Sequence, residues 1–201
     1  MASKVAICNM ALGALGVGDQ IANLTTERSA EARACRIFYE ETLKETLRDF
    51  AWPFATKIVT LALVEEDPND EWAYSYRYPT DCVMARRILS GQRQDSRGSR
   101  VPNRIIKDAE GQLILTDQAE AELEYTAFFD EPQHYPSDFI AAFAYLLAVR
   151  IAPMVTAGDP FALQEKNIKL YNFEIGKAKA NAANEEQPDP EAEAETIRLR
   201  E

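Results

Sequence analysis

Residues 29–54, SAEARACRIFYEETLKETLRDFAWPF, decide how the rest of the chain is read. Cys35, Phe38, Tyr39, Thr42, Leu43, Leu47 and Phe50 recur at three- and four-residue intervals, while Glu40, Glu41, Lys44, Glu45 and Arg48 fill the opposite face. That spacing is the period of an amphipathic α-helix with one apolar stripe. The helix begins near residues 27–29 and runs to about residue 50. Trp52-Pro53 ends it, because the residue before a proline is pushed out of helical backbone. Such a stripe needs a partner to cover it.

One partner lies upstream. Ser3 is a fitting N-cap for a helix to about Leu15, with Val5, Cys8, Leu12 and Leu15 on one side and Gly16 and Gly18 as its stop. Two more lie downstream. After Pro136, Ser137 is expected to cap a helix to about Thr156, with Phe139, Phe143, Leu146, Leu147 and Ile151 on its core side and Pro153 kinking it or ending it early. Residues 139–149 are apolar nearly all round, so this is the most buried helix. Gly158-Asp159-Pro160 opens a last helix to about Ala183, with Phe161, Ile168, Tyr171 and Ile175 inward.

Between the helix pairs the period changes from four to two. Residues 57–64 are rich in β-branched side chains, and Trp72, Tyr74, Tyr76 and Tyr78 alternate with small or polar residues. Further strands are expected over 82–89, 104–107, 112–116 and 122–129, with Asp108-Ala109-Glu110-Gly111 as a hairpin turn. The expected fold is therefore α+β: a mainly α-helical core of four helices with one inserted antiparallel β module. Residues 1–183 read as a single domain, with helices over 3–50 and 137–183 and the β insertion over 55–130. Residues 184–201 read as an acidic disordered tail, since EEQPDPEAEAE has almost nothing to bury.

At 201 residues with 46 % apolar side chains, the chain is long enough for a full core. The apolar run 139–149 is shorter than the ~20 residues that span a bilayer, and residues 1–4 run straight into a patterned segment. Synthesis in the cytosol is expected. Cys8, Cys35 and Cys82 form neither a disulfide framework nor a zinc pattern and read as free thiols. The net charge of −11 is uneven. The tail is strongly acidic, whereas Arg86, Arg87, Arg93, Arg97, Arg100, Arg104 and Lys107 face only Asp95. An acidic body with one basic segment does not resemble a general nucleic-acid binder.

No residue set in the sequence assembles into chemistry. Gly13-x-x-Gly16-x-Gly18 follows a helix rather than a strand, so it reads as a helix stop and not as a nucleotide loop. His134, the single histidine, lies in a proline-bounded loop with no marked nucleophile beside it. Glu65, Glu66, Asp67, Asp70 and Glu71 lack the glycine and spacing of a calcium loop and read as a solvated turn. No catalytic residue, cofactor or metal is expected. The basic segment has two readings: a soluble hairpin tip, or a partner-binding loop through Arg86, Arg87, Arg93, Arg97, Arg100 and Arg104 that meets phosphate or an acidic protein surface.

One long-range pattern has a precedent. Ile7-Cys8-Asn9-x-Ala11-Leu12-x-x-Leu15-Gly16, then Ile21, Leu24, Ser29, Ala32, Cys35 to Tyr39, Leu43 and Leu47, closes on Trp52-x-Phe54-Ala55. With Leu123-x-Tyr125, Pro136-x-x-Phe139 and Leu146-Leu147-Ala148-x-x-Ile151-Ala152, this order resembles bacteriophage head–tail connectors, in particular the tail tubular protein A (head completion, or adaptor) family of short-tailed phages. The resemblance implies a non-enzymatic virion protein at the head–tail junction. There it would form a dodecameric ring that joins the portal protein to the tail nozzle or another tail protein. Double-stranded DNA would pass through the ring non-specifically, and no membrane would be involved. It also implies a C-terminal segment that orders on docking to the portal. The alternative is a monomeric protein- or nucleic-acid-binding module using residues 86–107.

Overall fold

The structure, a computed structural model, describes residues 2–91 and 101–185. Helix α1 spans Lys4–Ala14, and Ser3 caps it by accepting the Ala6 N–H at 3.1 Å. Its end is a left-handed turn at Gly16 (φ 76°), where Val17 N–H reaches Leu12 O and Gly16 N–H reaches Gly13 O. That pair of bonds is the Schellman closure, so the glycines serve a helix stop. Asn9 then pins the following loop by accepting the Ile21 N–H at 2.8 Å and donating to Ile21 O at 3.0 Å. Helix α2 spans Ala30–Arg48, with Ser29 as its N-cap.

Helix α3 spans Ser137–Val155 and α4 spans Pro160–Glu185. Pro153 does not end α3, which runs on to Val155. A proline there leaves the Val149 carbonyl without its usual N–H, and Gln164 of α4 supplies a donor to that oxygen at 2.8 Å. Ser137 is the first helical residue and not the cap, and Asp138 instead binds the Phe139 N–H and Asn181. Phe161, expected inward, is 77 % exposed. Helix α3 packs on α1, α2 and α4. By length and composition it could cross a bilayer, yet half of its apolar stretch is buried against the protein.

Among the described residues, seven strands follow one another between α2 and α3: β1 Thr56–Thr60, β2 Leu63–Asn69, β3 Trp72–Arg77, β4 Cys82–Leu89, β5 Asn103–Lys107, β6 Gln112–Thr116 and β7 Glu122–Ala127. They form two antiparallel sheets, a three-stranded one ordered β1-β7-β4 and a four-stranded one ordered β2-β3-β6-β5. The β-branched run over 57–64 is thus not one strand. It breaks at Leu61-Ala62 and contributes an edge strand to each sheet. Glu65, Glu66 and Asp67, expected in a solvated turn, lie in β2.

These sheets correct the expected architecture. The chain is α+β, but a mainly helical core of four helices with one inserted β module does not describe it. One buried cluster joins the helices through Ile7, Leu12, Cys35, Leu43, Leu47, Trp52, Phe139, Phe143 and Ile151. A second cluster, with Tyr76 and Ile114 from one sheet and Ile88, Leu123 and Tyr125 from the other, lies between the two sheets. Period-two alternation marks which residues share a face; it does not say how many sheets the strands will make. Residues 186–201, which hold nearly all of the expected disordered tail, are outside the described residues.

Candidate functional site

The basic segment divides once its side chains are placed. Arg86 lies on β4 and points back to the end of α2, where a helix leaves carbonyls without donors. Its Nη2 donates to Leu47 O (3.3 Å), Arg48 O (3.2 Å) and Phe50 O (2.5 Å), and its Nε donates to Thr126 Oγ1 at 2.8 Å. Burial, with Arg48 nearby, holds its pKa below the ordinary arginine value. Arg86 therefore bolts the three-stranded sheet to α2 and is not available to a partner.

Arg87 is engaged as well, with Nε 2.9 Å from Glu124 Oε2 on β7. Arg104 on β5 stands clear of the surface and reaches Glu71 at only 3.6 Å, with both side chains well exposed. Lys107, at the other end of β5, has no ion pair among the described residues. Arg93, Arg97 and Arg100 lie outside the described residues. The six arginines expected to act together thus do different work, and the exposed basic charge that the structure places belongs to edge strand β5.

A concavity of about 1350 Å³ runs along the outer face of α2 toward Asp81, Val83, Phe128 and Arg150. Its charges neutralise one another. Lys44 lies 2.8 Å from Glu40 and 3.2 Å from Glu41, and Arg150 lies 2.7 Å from Glu45. Asp81 is bound by Lys57 at 2.7 Å and by the Tyr125 hydroxyl at 2.9 Å. Burial pushes the Asp81 carboxyl up, but these two donors outweigh it and hold it below the usual carboxylate value. The same burial, with Asp81 beside it, raises the Tyr125 hydroxyl to about 12. A groove whose charges are paired this way offers neither a poised base nor a free nucleophile.

His134 is a surface residue, 3.5 Å from Glu131 and exposed on both sides of that pair. Cys8 and Cys35 are buried and adjacent, and the hydrogen bond between them together with burial drives the Cys8 thiol far above its ordinary value. Among the described residues no three His, Cys, Asp or Glu side chains gather as metal ligands.

Sequence reasoning missed the sheet edges. Leu63 and Val64 on β2 and Ile105 on β5 are 50 %, 44 % and 46 % exposed. Both strands are the outer strands of the four-stranded sheet. No protein-family model and no curated protein matches the chain.

Proposed function

We propose that this protein is a structural subunit of a bacteriophage head–tail connector, acting as one member of a ring between portal and tail. The carrying observation is where the residues of the connector-like pattern lie. Ile7, Cys8, Ala11, Leu12, Cys35, Leu43, Leu47, Trp52 and Ala55 share one buried cluster with Phe139, Leu147, Ala148, Ile151 and Ala152. Two stretches far apart in sequence thus form a single packed unit, as a shared structural pattern requires. Groove carboxylates held by lysines and Arg150 also suit a protein that assembles rather than catalyses.

The experiment is electron microscopy and native mass spectrometry of the full chain mixed with a portal protein encoded in the same genome. Closed rings of this chain on the portal are the expected result. Their absence at every concentration would overturn the reading. A nucleic-acid-binding module is the weaker alternative, since Arg86 and Arg87 are spent inside the protein. It would gain ground from DNA binding that falls steeply with salt and disappears on exchanging Arg93, Arg97 and Arg100 for Glu.

A further inference from the structure

The four-stranded sheet carries one apolar row across its full width. Leu63 on β2 is in register with Tyr76 on β3, Tyr76 with Ile114 on β6, and Ile114 with Ile105 on β5. Directly opposed residues share a face. The middle of the row is core, with Tyr76 and Ile114 at 2 % and 1 % exposure, whereas Leu63 and Ile105 at its ends are half exposed. The row stops at two sheet edges, and nothing among the described residues pairs with either edge strand on its outer side.

The edges also differ in charge. After Leu63 and Val64, strand β2 carries Glu65, Glu66 and Asp67, all exposed, while β5 carries Arg104 and Lys107 around Ile105. The next row is Glu65, Ser75, Leu115 and Arg104, with an acid at one end and a base at the other. Arg104's contact with Glu71 is long and exposed, the kind of surface pair that is worth little and exchanges freely. Each edge strand also presents the unpaired N–H and C=O groups of an open ladder. On β2 the usable stretch is residues 63–66, because Asp67 has φ 49° and Pro68 has no N–H.

We infer that β2 of one copy of this chain pairs with β5 of the next, head to tail, so that the four-stranded sheets join into a longer one. Polarity fits. Each strand is antiparallel to its neighbour, so β2 and β5 run in opposite directions, and a second copy set beside the first meets it with an antiparallel seam. Across that seam Leu63 meets Ile105 and, with the β2 bulge between Leu63 and Glu65 retained, Glu65 meets Arg104. Charge decides against two-fold pairing, because β2 on β2 would oppose acids to acids and β5 on β5 bases to bases. A head-to-tail contact closes into a ring where its rotation allows. The inference deepens the connector reading by naming the contact between subunits, and it rests on that reading for ring closure alone.

The test mixes two full-length variants, Leu63→Cys and Ile105→Cys, each in a Cys82→Ser background, under mild oxidation with and without portal protein. Opposed residues in an antiparallel ladder have Cα atoms ~4.5–5.5 Å apart, within disulfide reach. The mixture should give a disulfide-linked pair and neither variant alone should do so. Glu65→Arg with Glu66→Arg should weaken association about tenfold, and Arg104→Glu with Lys107→Glu in the neighbouring copy should restore it. Dimers of Leu63→Cys alone would overturn the head-to-tail geometry. Rings on the portal without the mixed disulfide would sink this inference and leave the connector reading standing. The mixed disulfide without rings on the portal would do the reverse.

Discussion

The helical half and the sheet half treat their apolar cores in opposite ways. In the helical half the buried cluster is closed, and the exposed Ile37, Phe161 and Phe173 on its helices lie outside that cluster. Trp52 lies 5.0 Å from Phe139 and 5.3 Å from Phe50 between ring centroids, Phe54 lies 4.9 Å from Phe139, and Tyr39 lies 5.1 Å from Phe143, the first three pairs being linked through Trp52 and Phe139. Edge-to-face packing of this kind adds to simple burial. In the sheet half, the apolar row that fills the centre runs out to both rims, where Leu63 and Ile105 are half exposed among the described residues. A closed core holds a monomer together, whereas an open row offers a surface to another molecule. The two halves are therefore expected to respond differently to the same kind of substitution.

The largest effect belongs to the closed half. Trp52→Ala removes the ring at the centre of the aromatic cluster and the Nε1 bond to Thr46 O at 2.9 Å. A loss of about 3–5 kcal/mol is expected in urea unfolding. Next comes the bolt between the halves. Arg86→Ala strips donors from the end of α2 and from Thr126, with an expected loss of about 2–3 kcal/mol from charged hydrogen bonds. Arg86→Lys should not rescue it, because a single ammonium cannot span Thr126 and three carbonyls at once. Equal stability of Arg86→Ala and the parent chain would show the two halves to be uncoupled.

Within the sheet core, Ile114→Val should cost about 1 kcal/mol. The deletion is one methylene at a fully buried position on β6, and fluorescence of Trp72 on the adjacent β3 can report it separately from Trp52. A cost near zero would show that the sheet half is loosely packed as well as open.

Much of the helical half was legible in the sequence. Its period of 3.6, its Ser3 cap and its stop at Gly16 are local signals, and each rests on residues within a turn of one another. The sheets were not, because pairing is non-local. The run over 57–64 gives no sign that β1 will join β7 while β2 joins β3. Arg86 was misread for the same reason: its acceptor Phe50 is 36 residues upstream, and sequence proximity grouped it instead with the arginines that follow. The acidic stretch 65–71 and the basic residues 104 and 107 were visible as charge runs. Only topology shows that they border opposite edges of one sheet.

The smallest stability effect should carry the most information. Leu63→Ser alters the same apolar row as Ile114→Val and removes more hydrocarbon, yet Leu63 already meets solvent in the isolated chain. Exposed positions away from caps and cores shift stability by no more than about 0.5 kcal/mol, so urea unfolding of the monomer should be nearly unchanged. Self-association, followed by sedimentation velocity across a concentration series, should fall clearly, because the lost side chain is the one that would meet Ile105 of the next copy. If Leu63→Ser instead unfolded the monomer as Ile114→Val is expected to, its edge would be part of the chain's own core, and the contrast between a closed half and an open half would not hold.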